Sequence, residues 1–155
     1  MDGLDHDRYM RHAIALAANA PDRPFGAAVV DRDTGAVVAE GWNRSDENPT
    51  WHGEIDAINK LVASGKHADP SRLVLYTTAE PCPMCAGAIL WTGIGGVVFG
   101  SSIRFLADIG WWQIDIPAAE VARRGRTPRC AVVGAVLESD CNELFLTAAR
   151  AAPGR

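Results

Sequence analysis

The sequence predicts an α/β fold in which helices cover both faces of a sheet of about five strands. Segments with helical spacing alternate with short apolar segments along the chain, which is typical of layered α/β domains. The strand segments contain the apolar runs VV, LVL, VVF and AVV, as expected for strands buried on both faces. A chain of 155 residues can bury one core, so we expect a single domain spanning residues 1–155.

Local signals delimit the elements. Pro21 ends the first helix, Gly65 is a C-terminal cap for the second, and Pro83 suits the first turn of the third. The DTG turn at residues 33–35 joins the first two strands into a hairpin. No regular structure is predicted for the aromatic-rich residues 103–117, and the last five residues are expected to fray. The predicted helices cover residues 5–20, 54–64, 84–93, 118–125 and 141–150. The predicted strands cover residues 25–31, 36–43, 72–78, 95–101 and 130–137.

Composition restricts the cellular setting. The chain is 48% hydrophobic and 22% charged, which is typical of a soluble globular protein. No apolar run approaches the ~18 residues needed to span a membrane, and the acidic N-terminus is unlike a signal peptide. We therefore expect a cytoplasmic protein with no membrane partner, whose four cysteines are reduced. The net charge of −4 does not favour nucleic acid as a partner.

Two short motifs carry metal-binding chemistry: His52-Gly53-Glu54, and Cys82 with Cys85 about 30 residues later. The cysteines are three apart at the start of a predicted helix, so both sulfurs can point to one face. The partial positive charge of a helix N-terminus favours the thiolate form, which is the form that binds metal. With His52 they make three ligands, and a catalytic zinc takes three protein ligands and leaves its fourth position for water.

Glu54 fits the role of a base beside this metal. Two thiolates neutralise the formal charge of Zn²⁺, so the metal should acidify its water less than a site of three neutral histidines would. A nearby base is then needed to take the proton at neutral pH. Glu54 lies on the same turn as His52 and can serve as that base without being a ligand.

Cys-x-x-Cys has two other interpretations, a redox pair or half of a structural zinc site. A structural site would need a fourth Cys or His at close spacing, and none stands near Cys82 and Cys85. A redox pair would leave the His-Gly-Glu motif unexplained. Cys130 and Cys141 are predicted to be core residues.

The two motifs together are the signature of zinc deaminases that act on nucleobases. The chain resembles the zinc-dependent cytidine/deoxycytidylate deaminase superfamily, in the branch of free-base cytosine deaminases, guanine deaminases and tRNA adenosine deaminases. The likeness runs from the FGA segment at Phe25, through the GWN segment that ends at Asn43 and both motifs, to about Phe105. It implies a three-layer α/β/α sandwich with a mixed sheet, one Zn²⁺ per chain, and a homodimer.

The resemblance also implies roles for individual residues. His52, Cys82 and Cys85 would bind zinc, and Glu54 would be the proton shuttle. The side chain of Asn43, the backbone amides of Gly53 and Cys82 and the carbonyl of Glu80 match groups that contact the substrate or the leaving ammonia. Phe25 and Trp51 are candidates for pocket walls, with core packing as the alternative for both. The implied substrate-binding residues are therefore Asn43, Gly53, Phe25, Glu80 and Phe105.

Substrate signals conflict. The His-Gly-Glu form, the LYTT run at 75–78 and Phe105 resemble fungal cytosine deaminases, in which a phenylalanine closes over the pyrimidine. The FGA and EPCPMC runs resemble guanine deaminases, but Leu106 stands where those enzymes carry an aspartate, although Asp108 is near, and the AAPGR tail lacks their aromatic closing group.

Editing of tRNA would need a basic surface. The one basic cluster in the sequence is interpreted as a solvated helix end; it comprises Arg123, Arg124, Arg126 and Arg129. Trp111 and Trp112 could stack on a ring in a closed pocket or at a subunit interface.

We therefore expect hydrolytic release of ammonia from a small free heterocycle. A cytosine-like ring is favoured and guanine is second. A tRNA adenosine deaminase and a non-catalytic zinc or redox module are the alternatives.

Overall fold

The computed structural model describes residues 1, 3–65, 69–125 and 129–151. Within these ranges the chain forms six helices, five strands and one short 3₁₀ turn at Pro70–Arg72. The helices are α1 (His6–Ala17), α2 (Gly53–Ser64), α3 (Pro83–Thr92), α4 (Ile103–Asp108), α5 (Ala118–Arg124) and α6 (Glu138–Ala151). The strands are β1 (Gly26–Asp31), β2 (Val37–Trp42), β3 (Leu73–Ala79), β4 (Gly96–Ser101) and β5 (Ala131–Val133).

The five strands form one mixed sheet in the order β2-β1-β3-β4-β5. β1 pairs antiparallel with β2 and with β3, whereas β3, β4 and β5 run parallel. Helices α2 and α3 pack on one face of the sheet, and α1 and α6 pack on the other. The predicted three-layer α/β/α fold with a mixed sheet of about five strands is confirmed.

The apolar strand runs are explained by two cores, one on each face of the sheet. Val29 faces the core beneath α2 and α3, and its neighbour Val30 faces the core beneath α1 and α6. Leu75 and Tyr76 divide in the same way on β3. Successive side chains of a strand point to opposite faces, so a strand covered on both sides must be apolar at every position.

One edge of the sheet collects the ends of four strands. Because β1 is antiparallel to its neighbours, the start of β1 lies beside the carboxyl ends of β2 and β3, with Gly26 opposite Trp42. The carboxyl end of β4 lies there too, with Ser101 opposite Ala79. Ligand sites in open α/β sheets form outside the carboxyl ends of strands. This edge is therefore the expected place for a site.

Gly41 lets α2 lie directly on β2. A Cβ at Gly41 would collide with the backbone nitrogen of Ala57 and the carbonyl oxygen of Gly53, both on the helix. The close approach holds the first turn of α2 against the end of β2, where the two sequence motifs meet.

Two segments differ from the sequence prediction. The residues after β4 were expected to be irregular but form α4, which the Ser102 hydroxyl caps by accepting from the Phe105 N–H. The last strand ends at Val133 instead of residue 137, because Ala135 and Leu137 adopt left-handed backbone conformations. Non-glycine residues seldom take such conformations, so the sequence carried no signal for this break.

Smaller differences are at helix ends. α1 ends at Ala17 rather than residue 20, and α6 starts at Glu138 rather than residue 141. Of the predicted frayed tail, Ala151 ends α6 and residues 152–155 lie outside the described residues. Across the ranges that the structure describes, no helix has the length and apolar character that crossing a membrane requires.

Candidate metal centre and active site

Two helix starts converge at the carboxyl end of β3. His52 is the residue that precedes α2, and Cys82 is the residue that precedes α3; both have extended backbones, with ψ of 163° and 164°. Pro83 then opens α3, where its missing N–H costs nothing because the first helical N–H has no partner within the helix. Cys85 follows in the first turn of α3 and is fully buried.

The three predicted ligands come together with the spacing of a zinc site. The Nδ1 atom of His52 is 3.6 Å from the Sγ of Cys82 and 3.6 Å from the Sγ of Cys85. All three ligand atoms lie within 4.8 Å of one another. A tetrahedral zinc with ordinary Zn–S and Zn–N bonds would separate such nitrogen and sulfur atoms by about 3.6 Å. The donor set and its spacing therefore fit one zinc ion.

The ligand count leaves one tetrahedral position open. Across the described residues, His52, Cys82 and Cys85 are the one group of three or more His, Cys, Asp or Glu side chains that could hold a metal. A structural zinc site is closed by four protein ligands, whereas a catalytic site keeps a position for water. The arrangement is that of a catalytic site.

The cysteine pair is prepared for a cation. The hydrogen bond from the Cys85 thiol is the main cause that lowers the pKa of Cys82 to about 4, and the hydrogen bond with His52 adds to it. The same bond to Cys82, together with burial, raises the pKa of Cys85. The lowered pKa of Cys82 favours the thiolate form that binds a metal, and binding of the metal to both sulfurs would release a proton from Cys85.

Glu54 is a buried carboxyl beside the three ligands. Its side chain is 3% exposed, and its Oε2 atom is buried without a hydrogen-bond partner among the described residues. Burial is the main cause that raises the pKa of Glu54 to about 7, and the negative charge of Cys82 contributes further. A buried carboxyl that lies beside the metal ligands without being one of them can serve as a general acid–base catalyst.

Asn43 presents an amide donor to the same space. Its Oδ1 accepts hydrogen bonds from the backbone N–H of Ser45 at 3.0 Å and from the Ser45 hydroxyl at 2.7 Å. The Arg23 guanidinium donates to the Ser45 hydroxyl at 2.8 Å. Because the backbone N–H can only donate, the Asn43 oxygen must face Ser45, and its NH₂ group remains for a ligand.

Phe25 is fixed beside His52. The two rings are nearly parallel, with an interplanar angle of 18° and centroids 6.4 Å apart. The hydroxyl of Thr78, which is fully buried, accepts from the N–H of Gly26 and donates to the carbonyl of Pro24, so both neighbours of Phe25 are tied to β3. Phe25 is therefore a rigid aromatic wall.

These groups surround a cavity of about 570 Å³. Cys82, His52 and Glu54 are among its lining residues, and Phe25 and Trp111 form aromatic walls. The rings of Phe25 and Trp111 pack edge to face, with centroids 5.8 Å apart. The lining residues are Arg23, Phe25, Asn43, Ser45, Pro49, His52, Glu54, Glu80, Cys82, Leu106, Gly110, Trp111, Trp112 and Gln113.

Two of the predicted wall residues lie elsewhere. Phe105 is absent from the described lining of the cavity and packs instead against the buried cluster of Ala79, Leu106 and Phe145. Trp51 is also absent from that lining, and the Arg44 guanidinium covers its ring at 5.0 Å. Gly53 lies between His52 and Glu54, where its backbone packs closely against the backbone of Phe25. A Cβ at position 53 would be only 2.5 Å from the Phe25 carbonyl oxygen, so the position has no room for a side chain.

Sequence reasoning missed Phe145 and Ser45. Phe145 is fully buried on α6 and contacts the rings of Phe25 and Trp111, with centroids 4.9 Å and 5.7 Å away. No local pattern marks this contact, because it joins distant parts of the chain. Ser45 could have been found, because an Asn followed two residues later by Ser is a common side-chain-to-backbone turn.

The sequence profile described as the cytidine and deoxycytidylate deaminase zinc-binding region matches residues 4–101. The match includes all three ligand positions and Glu54, and it covers more than half of the chain. The chain belongs to this deaminase family. It is therefore a zinc-dependent hydrolase that removes an amine, and the predicted family, enzyme class and zinc cofactor are confirmed. The alternative of a non-catalytic zinc or redox module is therefore rejected.

Deaminases with different substrates are similar to this chain. A guanine deaminase of Bacillus subtilis is 33% identical over 129 residues, which are 76% of this chain and 81% of that protein. A probable cytosine deaminase of Schizosaccharomyces pombe is 36% identical over 97 residues, 61% of this chain and 59% of that protein. A tRNA-specific adenosine deaminase of Haemophilus influenzae is 42% identical over 109 residues, 67% of this chain and 62% of that protein.

Solved deaminase structures superimpose on most of the chain. A guanine deaminase from Nitrosomonas europaea has a TM-score of 0.80 and 26% identity, covering 92% of this chain and 83% of that one. A mutant protein solved in complex with 8-azaguanine has a TM-score of 0.83 and 27% identity, covering 95% of this chain and 85% of that one.

Proposed function

We propose that this deaminase acts on a small free nucleobase, with a guanine-like aminopurine as the first candidate and a cytosine-like pyrimidine as the second. The observation that carries the proposal is the cavity, whose lining combines the metal ligands His52 and Cys82 and the carboxyl of Glu54 with the aromatic rings of Phe25 and Trp111. Arg23 is the one cation among the described lining residues, and Asp46 neutralises it at 2.5 Å. Such a site recognises a flat ring rather than a phosphate chain.

The residues of the cavity supply the acid–base and positioning steps of a hydrolytic deamination. Zinc held by His52, Cys82 and Cys85 would supply an activated water for attack on the amine-bearing carbon. Glu54 would take the two protons of that water one after the other, giving the first to the adjacent ring nitrogen and the second to the departing amine, so that ring and water become a carbonyl and ammonia. Asn43 donates its amide N–H to a ring acceptor and holds the ring in register.

The order of the two rings differs from the sequence expectation for two reasons. The argument for a pyrimidine relied partly on Phe105, which packs away from the cavity. The similarity to guanine deaminases, and to a structure bound to 8-azaguanine, extends over most of the chain, whereas the similarity to the cytosine deaminase covers 61% of it. A cavity of about 570 Å³ has room for two fused rings.

The described lining of the cavity contains no aspartate that could bind the ring N–H groups of guanine. Leu106 lines the cavity, and both oxygens of the Glu80 carboxylate accept backbone N–H groups instead of facing a ligand. Gln113 also lines the cavity and carries a side-chain oxygen that can accept from ring N–H groups. We therefore expect selectivity among aminopurines to depend on Gln113.

Editing of tRNA is the alternative to deamination of a free base, since the similar tRNA-specific adenosine deaminase has 42% identity. The basic cluster does not favour it, because Arg123 and Arg124 both bond the Glu120 carboxylate. Arg126 lies outside the described residues. The chain as a whole carries a net charge of −4.

The test is ammonia release by the zinc-loaded protein on a matched panel. The panel holds guanine, 2,6-diaminopurine, cytosine and adenine, the nucleoside of each, and an RNA stem-loop with an unpaired adenosine. Turnover of a free base that exceeds turnover of its nucleoside, and that vanishes in Glu54→Ala, supports the proposal. Turnover of the stem-loop with none of any free base contradicts it.

A further inference from the structure

The Glu80 carboxylate joins two distant points of the chain. Glu80 directly follows β3 and is 8% exposed. Its Oε2 atom accepts the backbone N–H of Ile103 at 2.9 Å, and its Oε1 atom accepts the backbone N–H of Ala118 at 2.9 Å. One side chain thus holds two backbone groups that are 15 residues apart in sequence.

The two N–H groups belong to the first and last residues of a segment that forms one wall of the active-site cavity. Ile103 is the first residue of α4 and Ala118 is the first residue of α5. We call residues 103–118 the roof segment, because the part between its ends supplies five of the lining residues. The lining residues in the roof segment are Leu106, Gly110, Trp111, Trp112 and Gln113.

Both bound N–H groups need an acceptor from outside their helices. The first N–H groups of a helix have no partner within it. The Ser102 hydroxyl is engaged with the Phe105 N–H, and Pro117 offers no side-chain acceptor to α5. Ile103 and Ala118 are each 2% exposed, so water cannot take the place of Glu80.

The middle of the roof segment combines packed and exposed side chains. Backbone hydrogen bonds within the segment include Trp111 N–H to the Leu106 carbonyl at 2.8 Å and Ile116 N–H to the Ile114 carbonyl at 2.9 Å. Trp112 is 83% exposed and Ile114 is 61% exposed. Leu106 and Trp111 contact α6, and Trp111 also packs on Phe25, while the Glu80 carboxylate holds the two ends of the segment.

We propose that Glu80 is a positioning residue: its carboxylate clamps both ends of the roof segment and so fixes the wall that contains Trp111 and Gln113 over the bound ring. This role belongs to the side chain and is separate from the substrate contact expected of the Glu80 carbonyl. It rests on the proposed function only for the identity of the ring used in kinetic measurements.

Two variants break the clamp from opposite sides. Glu80→Gln keeps the size of the side chain but replaces one acceptor oxygen by an NH₂ group, which cannot accept an N–H. Ala118→Pro removes the N–H at the first position of α5, where proline is well tolerated. Pro117 already has φ −58° and ψ 143°, the conformation required before a proline. Glu120→Gln, an acid-to-amide change on the surface of α5, is the matched control.

The first readout is backbone hydrogen exchange of the zinc-loaded protein, followed by mass spectrometry of peptides from residues 103–118. Both clamp variants should exchange about five- to tenfold faster there, the factor that corresponds to losing one ordinary hydrogen bond. Peptides from β1 and β3 should exchange as in the wild type, and Glu120→Gln should match the wild type throughout.

The second readout is the steady-state kinetics of the base that the wild type turns over best. A displaced wall should weaken ring binding, so KM should rise by about the same factor while kcat changes less. If the wild type turns over no base, the proposed function fails and the exchange measurement alone decides on the clamp.

Unchanged exchange of residues 103–118 in Ala118→Pro, at one zinc per chain, would overturn the clamp. An equal rise of KM in Glu120→Gln would overturn it as well. Because residue 118 is remote in sequence from Cys82, the proline variant keeps the test valid even if Glu80→Gln loses zinc.

Discussion

Glu54 should destabilise the metal-free protein at neutral pH, and Glu54→Gln should remove that cost. The carboxyl is 3% exposed, and its Oε2 atom has no hydrogen-bond partner among the described residues. Burial is the main reason that its folded-state pKa is raised to about 7 from an ordinary value of 4.5. A neutral glutamine of the same shape carries no charge to desolvate.

The direction and size of the effect follow from proton linkage. The folded protein holds the Glu54 proton more tightly than the unfolded chain, so the carboxyl costs nothing below its unfolded pKa near 4.5. As the pH rises towards 7, the unfolded chain ionises first and the wild type loses stability, and above 7 the loss is constant. At about 1.4 kcal/mol for each pH unit between the two pKa values, the full loss is about 3 kcal/mol.

The assay is urea unfolding of chelator-treated, reduced protein at pH 5 and pH 8. The free energy of unfolding of Glu54→Gln should exceed that of the wild type by about 2 to 3 kcal/mol more at pH 8 than at pH 5. Glu120→Gln is the control, because hydrogen bonds from Arg123 and Arg124 lower the pKa of Glu120 to about 2 and it does not titrate in this range. Equal pH dependence of the wild type and Glu54→Gln would refute the reasoning.

Three further predictions concern the walls and the metal. Ser45→Ala removes one of the two hydrogen bonds that orient the Asn43 amide, so KM should rise about fivefold in steady-state assays. Thr50→Ala breaks the same kind of bond, to Asn48 in an exposed loop, and an equal effect there would contradict the role of Ser45. Gly53→Ala places a Cβ 2.5 Å from the Phe25 carbonyl oxygen and should displace that wall, lowering kcat/KM by at least about tenfold. Gly87→Ala, on α3 with no atom within 4 Å of the added Cβ, should leave kcat/KM unchanged; loss of activity in both variants alike would count against the steric argument. Removal of zinc by a chelator should lower the melting temperature, and returning zinc should restore it, because the folded triad binds the metal. A melting temperature that does not respond to zinc, or a Cys130→Ser control that abolishes the response, would show that the triad does not hold the ion.

The fold and the triad could be predicted because both depend on short-range patterns. The buried strands are apolar at successive positions, and the ligands mark two helix starts. The pairing of β2 with β1 and of β1 with β3 then brings His52, which follows β2, near Cys82 and Cys85, which follow β3. The burial of Glu54 supports its predicted role, and the hydrogen bond that orients the Asn43 amide supports the role predicted for Asn43.

The walls of the cavity could not be predicted, because contacts between remote residues decide them. Phe105 and Leu106 are neighbours on α4, but Leu106 lines the cavity whereas Phe105 is absent from its described lining and packs against the buried cluster that contains Leu106. The contact between the rings of Phe145 and Phe25 joins residues that are far apart in the sequence. The Glu80 carboxylate had no local signal either, since its two partners are 23 and 38 residues away.

The most direct test of the central claim is the fate of water oxygen during turnover. Zinc-loaded protein would be given guanine, and separately cytosine, in water enriched in heavy oxygen, and the product would be analysed by mass spectrometry. Hydrolytic deamination of a free ring predicts a product in which one carbonyl carries the heavy oxygen, with one ammonia released for each product and none of either in Glu54→Ala. Ammonia release without label in the ring, or a complete lack of product from both bases, would contradict the account.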